Sequence, residues 1–201
     1  RYLPMLVMVL INYSKFLKNT SVKSITYGNF ESRNRTTNEA PIIDLLPLSS
    51  LQDWTFAAGQ FLDSGSVQRL AKLSNEKLKP VLREAKGKDE DATNMKKFMS
   101  SLENTVEDFQ TCRGINIINS KNISLLRITA EKIRTTFIKP LNPVLEKIKN
   151  SFEAFSETPD VKNGFYAAKW CLDNEMYQQA VTILLENVVT FICMKQGLDE
   201  R

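Results

Sequence analysis

Residues 123–137, Ile-Ser-Leu-Leu-Arg-Ile-Thr-Ala-Glu-Lys-Ile-Arg-Thr-Thr-Phe, decide the fold. Ile123, Leu126, Ala130, Ile133 and Phe137 follow one another at spacings of 3, 4, 3 and 4, which places them on a single face of an α-helix. Lys139-Pro140-Leu141-Asn142-Pro143 breaks the stripe, and Leu141, Leu145, Ile148, Phe152 and Phe155 resume it. Towards the C-terminus the same period predicts helices over Val161–Asp173 (Phe165, Ala168, Leu172) and Tyr177–Lys195 (Ala180, Leu184, Val188, Phe191), the second stopped by Gly197. Towards the N-terminus it predicts Met95–Gln110, with Phe98, Leu102, Val106 and Phe109 inward and Gly114 as the stop. Before that lie a charged loop, Gly87–Asp91, and a helix over Ser66–Ala85 kinked at Pro80. A helix from Leu48 buries Leu51, Trp54, Ala58 and Phe61, with Ser49 or Ser50 as N-cap and Gly65 as stop. No period of about 34 or 40–47 residues recurs, so a solenoid is disfavoured, and a bundle of about five to seven helices is expected.

The first 46 residues read differently. Pro4 suits the first turn of a helix that is apolar nearly all round through Ile11 and turns basic at Lys15 and Lys18; such a helix is expected to be sandwiched. Val22–Gly28 alternates and is rich in β-branched residues, a strand ending at Gly28, and Pro41–Leu45 is a second short strand after the polar stretch Glu31–Asn38. A buried helix followed by strands reads as the tail of an α/β unit, with the rest of the sheet expected before Arg1. The expected class is therefore mostly α: a helical bundle over residues 47–201 preceded by an α/β remnant over residues 1–46.

Composition bounds the chemistry. The chain has 201 residues, 42% hydrophobic and 25% charged, with 11 Phe and 2 Trp, enough to close a core. It contains no histidine, so no Ser-His or Cys-His nucleophile and no imidazole metal site operates within these residues. Cys112, Cys171 and Cys193 show no C-x-x-C spacing and read as buried free thiols of a reducing, cytoplasmic compartment. The apolar run Leu3–Ile11 is about half a membrane span, so no membrane partner is expected. The net charge of +4 sits mainly in the first 45 residues, which argues for a local patch and against a generic polycation.

No phosphate-binding glycine loop, zincin or EF-hand pattern occurs, and no metal site is expected. Asp89, Glu90 and Asp91 read as a solvated linker, Trp54 and Trp170 as core, and Arg127, Lys132, Arg134 and Lys139 as a solvated helix face. Tyr27-Gly28-Asn29-Phe30 stands at a strand end, where α/β sheets bind ligands. Gly28 would let a ligand approach the backbone while Tyr27 and Asn29 stack or hydrogen-bond; a plain strand-to-loop turn is the competing reading.

Arg1-x-Leu3-Pro4-Met5 before an apolar helix, Ile25-x-Tyr27-Gly28-Asn29-Phe30-Glu31, and Pro41-Ile42-Ile43-Asp44-Leu45 with Leu51-x-Asp53-Trp54 together resemble the second half of the CRISPR-associated D-x-T-H-G family. Ala168-Lys169-Trp170-x-Leu172-Asp173, Tyr177-Gln178-Gln179-Ala180 and Leu184-Leu185-Glu186 are similar to its helical domain. The resemblance implies a Rossmann-like CARF domain joined to a HEPN-type helical domain in a homodimer. The CARF part of that family senses cyclic oligoadenylate and the HEPN part cuts single-stranded RNA without a metal. It implies Arg1, Tyr27, Gly28 and Asn29 as ligand-binding residues, no cofactor beyond the cyclic oligoadenylate activator, and no assignable catalytic residue, since the family's Arg/His signature needs a histidine. The D-x-T-H-G motif is absent too, and with the start on Arg1 this leads to the expectation of a chain cut at both ends. The alternative is a non-enzymatic helical dimer that binds RNA or a protein partner.

Overall fold

A computed structural model describes residues 3–18, 20–86, 88–133 and 142–197. Nine α-helices and two short strands occur among them: α1 (Leu3–Lys18), β1 (Thr26–Gly28), β2 (Ile42–Asp44), α2 (Leu46–Ser64), α3 (Gln68–Glu84), α4 (Glu90–Gln110), α5 (Gly114–Asn119), α6 (Lys121–Lys132), α7 (Asn142–Ser151), α8 (Lys162–Asp173) and α9 (Tyr177–Lys195). The fold is mostly helical, as the periodicity requires. The chain divides into two compact units, Arg1–Thr55 and Phe56–Arg201, and the division falls inside α2.

In the first unit the expected seven-residue strand shortens to three residues. β1 and β2 pair with each other, antiparallel, with Tyr27 opposite Ile43 and Gly28 opposite Ile42. The backbone bonds Leu45 N to Ile25 O (2.8 Å) and Asn29 N to Pro41 O (2.9 Å) extend the ladder by one rung at each end. Met8 of α1 meets Ile25 and Leu45 in a small core, with Val7, Ile11, Val22, Tyr27 and Leu46 packed around it. The sandwiched helix is not what forms: Met5, Leu6, Val9, Leu10 and Tyr13 are all more than half exposed, so one face of α1 is covered within this chain. Lys15 ties α1 to the start of α2, donating to Ser49 Oγ and Asp53 Oδ2, each at 2.7 Å. Asp44 Oδ1, and not Ser49 or Ser50, caps α2 by accepting from Leu46 N at 2.9 Å, which moves the helix start ahead of Leu48 and leaves Ser49 inside it.

The core of the second unit is aromatic. Phe109 of α4 stands 5.2 Å from Trp170, 5.8 Å from Phe155 and 6.3 Å from Phe152, centroid to centroid. Phe98, Leu102 and Val106 continue the same buried face of α4, as the spacing predicts. Gly65 ends the α2 segment at a φ of +66°, and a Cβ there would stand 2.5 Å from the Trp170 ring, so both conformation and packing require glycine.

Three local expectations are corrected. Asp89-Glu90-Asp91 is no linker: Asp89 Oδ1 caps α4 by accepting from Ala92 N at 2.9 Å, and Glu90 and Asp91 form the first turn, where carboxylates favour the helix dipole. Gly114 opens α5 instead of closing α4; the left-handed turn falls on Cys112, at a φ of 51°. On α8 the buried face is Asn163, Gly164, Ala167, Ala168, Trp170 and Cys171, whereas Phe165 and Leu172 are exposed. The charged segment from Arg127 is described in part. Arg127 donates to the Phe155 carbonyl and lies 3.4 Å from Glu157, so it braces the end of α7; Arg134 and Lys139 lie outside the described residues.

Candidate functional site

The residues singled out at the strand end occupy the base of the β1–β2 connection. Arg1 lies outside the described residues. The Tyr27 ring is half-buried against the Met8–Ile25–Leu45 core, so it supports the hairpin as well as edging its surface. Gly28 is exposed, has no positive φ, and a Cβ there would meet nothing within 4 Å; neither conformation nor packing within the chain requires glycine. Asn29 donates through Nδ2 to Ser32 Oγ at 2.8 Å and so holds the one-turn 3-10 helix Phe30–Ser32. That turn presents Phe30, 70% exposed, with the Arg33 guanidinium 5.3 Å above its ring. An exposed aromatic beside a cation is a stacking platform for a base or another flat group. Phe30 belongs to the strand-end motif Tyr27-Gly28-Asn29-Phe30, and Arg33, three residues on in the polar loop, is the member of the pair that the sequence reading does not include.

A second site was not legible. α5, α8 and α9 enclose a cleft of about 450 Å³. Its walls are apolar, from Ile115, Ile117, Ile118 and Ile183, and Arg113, Asn116, Glu186 and Thr190 place polar groups around it. Asn187 reaches the cleft from α9. It is 3% exposed, and neither Nδ2 nor Oδ1 has a hydrogen-bond partner among the described residues. Burying an amide unpaired costs about 1–3 kcal/mol, and most native polar groups avoid it. Gly164 of α8 is what admits Asn187: a Cβ at that position would lie 2.0 Å from Oδ1 and 2.2 Å from Cγ.

The surrounding loop is firmly built. Asp108, 4% exposed, accepts from Asn116 Nδ2 at 2.8 Å and Asn122 Nδ2 at 2.7 Å, and its carbonyl accepts from Arg113 N at 2.8 Å. Ser120, at a φ of 59°, donates to the Thr158 carbonyl at 3.0 Å and accepts from the buried Asn163 Nδ2. Arg113 is held loosely by comparison, 3.5 Å from Glu107 with both side chains more than half exposed. Burial pushes the Cys171 thiol up to about 12, and burial together with the Glu186 carboxylate raises Cys112. Both thiols are protonated at neutral pH and are poor nucleophiles there. No group of three or more metal-ligating side chains forms among the described residues, and no described helix is long and apolar enough to cross a membrane.

No family model matches the sequence. The chain is 22% identical over 195 residues to the CRISPR-associated protein MJ1674 of Methanocaldococcus jannaschii. The match takes in 96% of this chain and 27% of that relative, so the chain spans about a quarter of the relative's length.

Proposed function

We propose that this chain is part of a CRISPR-associated defence protein: a homodimer whose first unit senses a cyclic oligoadenylate and whose helical unit cuts single-stranded RNA. The observation that carries the reading is the likeness to MJ1674 along 96% of the chain, which agrees in kind with the D-x-T-H-G resemblance of the strand and helix blocks. The activator site in this reading draws on Arg1, Tyr27, Gly28 and Asn29. The exposed Phe30–Arg33 pair adds a group able to stack on a base. Activation is a population shift: a ligand bound across a two-fold axis favours one arrangement of two chains, and can do so only through its differential affinity for that arrangement.

The second reading, a non-enzymatic dimer that binds RNA or a protein, is favoured by two observations. These residues contain no histidine. Val181, Leu185 and Val189 of α9 are each more than half exposed, an apolar stripe suited to a partner. Titration with cyclic tetra- and hexa-adenylate, while cleavage of a fluorescent RNA is followed, separates the two. Activator binding with cleavage supports the nuclease, and neither binding nor cleavage supports the scaffold. Tyr27→Phe keeps the ring in the small core and removes only the hydroxyl, so it tests the pocket more cleanly than Tyr27→Ala. Unchanged activator affinity in Tyr27→Phe and Asn29→Ala together would show that neither the Tyr27 hydroxyl nor the Asn29 amide contacts the activator.

A further inference from the structure

We draw no further inference here: the strongest candidate, the exposed apolar face of α9 formed by Val181, Leu185 and Val189 beside the groove that Phe165 and Leu172 line on α8, carries nothing, because nothing in the structure shows what covers it and a second copy there would restate the homodimer already proposed.

Discussion

Replacing Gly164 by alanine should destabilise the helical unit, although alanine is the better helix former. The added methyl would lie 2.0 Å from Asn187 Oδ1, 2.2 Å from Cγ and 2.9 Å from Cβ. Non-bonded carbon contacts settle near about 3.5–4.0 Å, so the amide must retreat by roughly 1.5 Å. A rotamer change relieves the first two contacts. It cannot relieve the third, because Cβ is fixed to the backbone of α9, and the two helices must then part by roughly half an ångström at their crossing. Overpacking of this kind costs about 1–3 kcal/mol, and the propensity gain of alanine over glycine offsets up to about 1 kcal/mol. A net loss of about 1–2 kcal/mol remains, a fall in melting temperature of roughly 2–8 °C for a chain of this size. Thermal unfolding followed by circular dichroism measures it. Asn187→Ala supplies the control, since it removes Oδ1 and Cγ and leaves only the 2.9 Å contact with Cβ: Gly164→Ala should cost less in that background, with a coupling energy of about 1 kcal/mol between the two sites. A Gly164→Ala protein as stable as the original, with the two substitutions additive within about 0.5 kcal/mol, would refute the close approach of α8 and α9.

Three further outcomes are expected. Asp108→Ala removes a buried acceptor of two amide donors and should cost about 1.5–3 kcal/mol in urea unfolding; a cost below about 0.5 kcal/mol would show that the loop before α6 is held by other contacts. Cys171, raised from 9.0 to about 12, should resist iodoacetamide at pH 8 in the native protein and react only on unfolding. Its effect on stability has a definite sign: below pH 9 the thiol is protonated in both states, and between about 9 and 12 only the unfolded state loses the proton, so stability falls as pH rises through that window. A Cys171→Ala protein should lose less stability than the original between those pH values, and parallel pH profiles would count against the shift. Lys15 and Asp53, 2.7 Å apart and mostly buried, should couple by about 1 kcal/mol in a double-mutant cycle of Lys15→Met and Asp53→Asn, with zero coupling placing the pair among inert surface bridges.

The helices were legible where one face differs sharply from the other. α4 alternates Phe98, Leu102, Val106 and Phe109 with Lys96, Lys97 and Glu103, and there the spacing identified the buried residues. Carboxylates at a helix start were misread because Asp-Glu-Asp looks alike in a loop and in a first turn; what decides is the Asp89 oxygen accepting from Ala92 N. The strand over Val22–Gly28 was drawn too long for a related reason. β-Branched residues permit extension but do not supply a partner, and hydrogen bonding reaches only as far as Ile42–Asp44 opposes it.

On α9 the same method had nothing to hold. The helix is apolar around most of its circumference, so period alone could not set its phase, and Leu184, Val188 and Phe191 were assigned to a face that is substantially exposed. The buried residues are Ala180, Ile183 and Asn187, with Gly164 of α8 lying against Asn187, and the other small buried residues of α8 are Ala167, Ala168 and Cys171. Small residues at intervals of three and four mark a close helix crossing, and they score weakly on any hydrophobicity scale because they bury little area each. A polar side chain inside such a crossing is invisible to a search for apolar stripes, since its burial follows from the glycine opposite and not from its own transfer free energy. The buried amide is therefore found by asking which residue Gly164 makes room for, a question whose answer lies on the other helix.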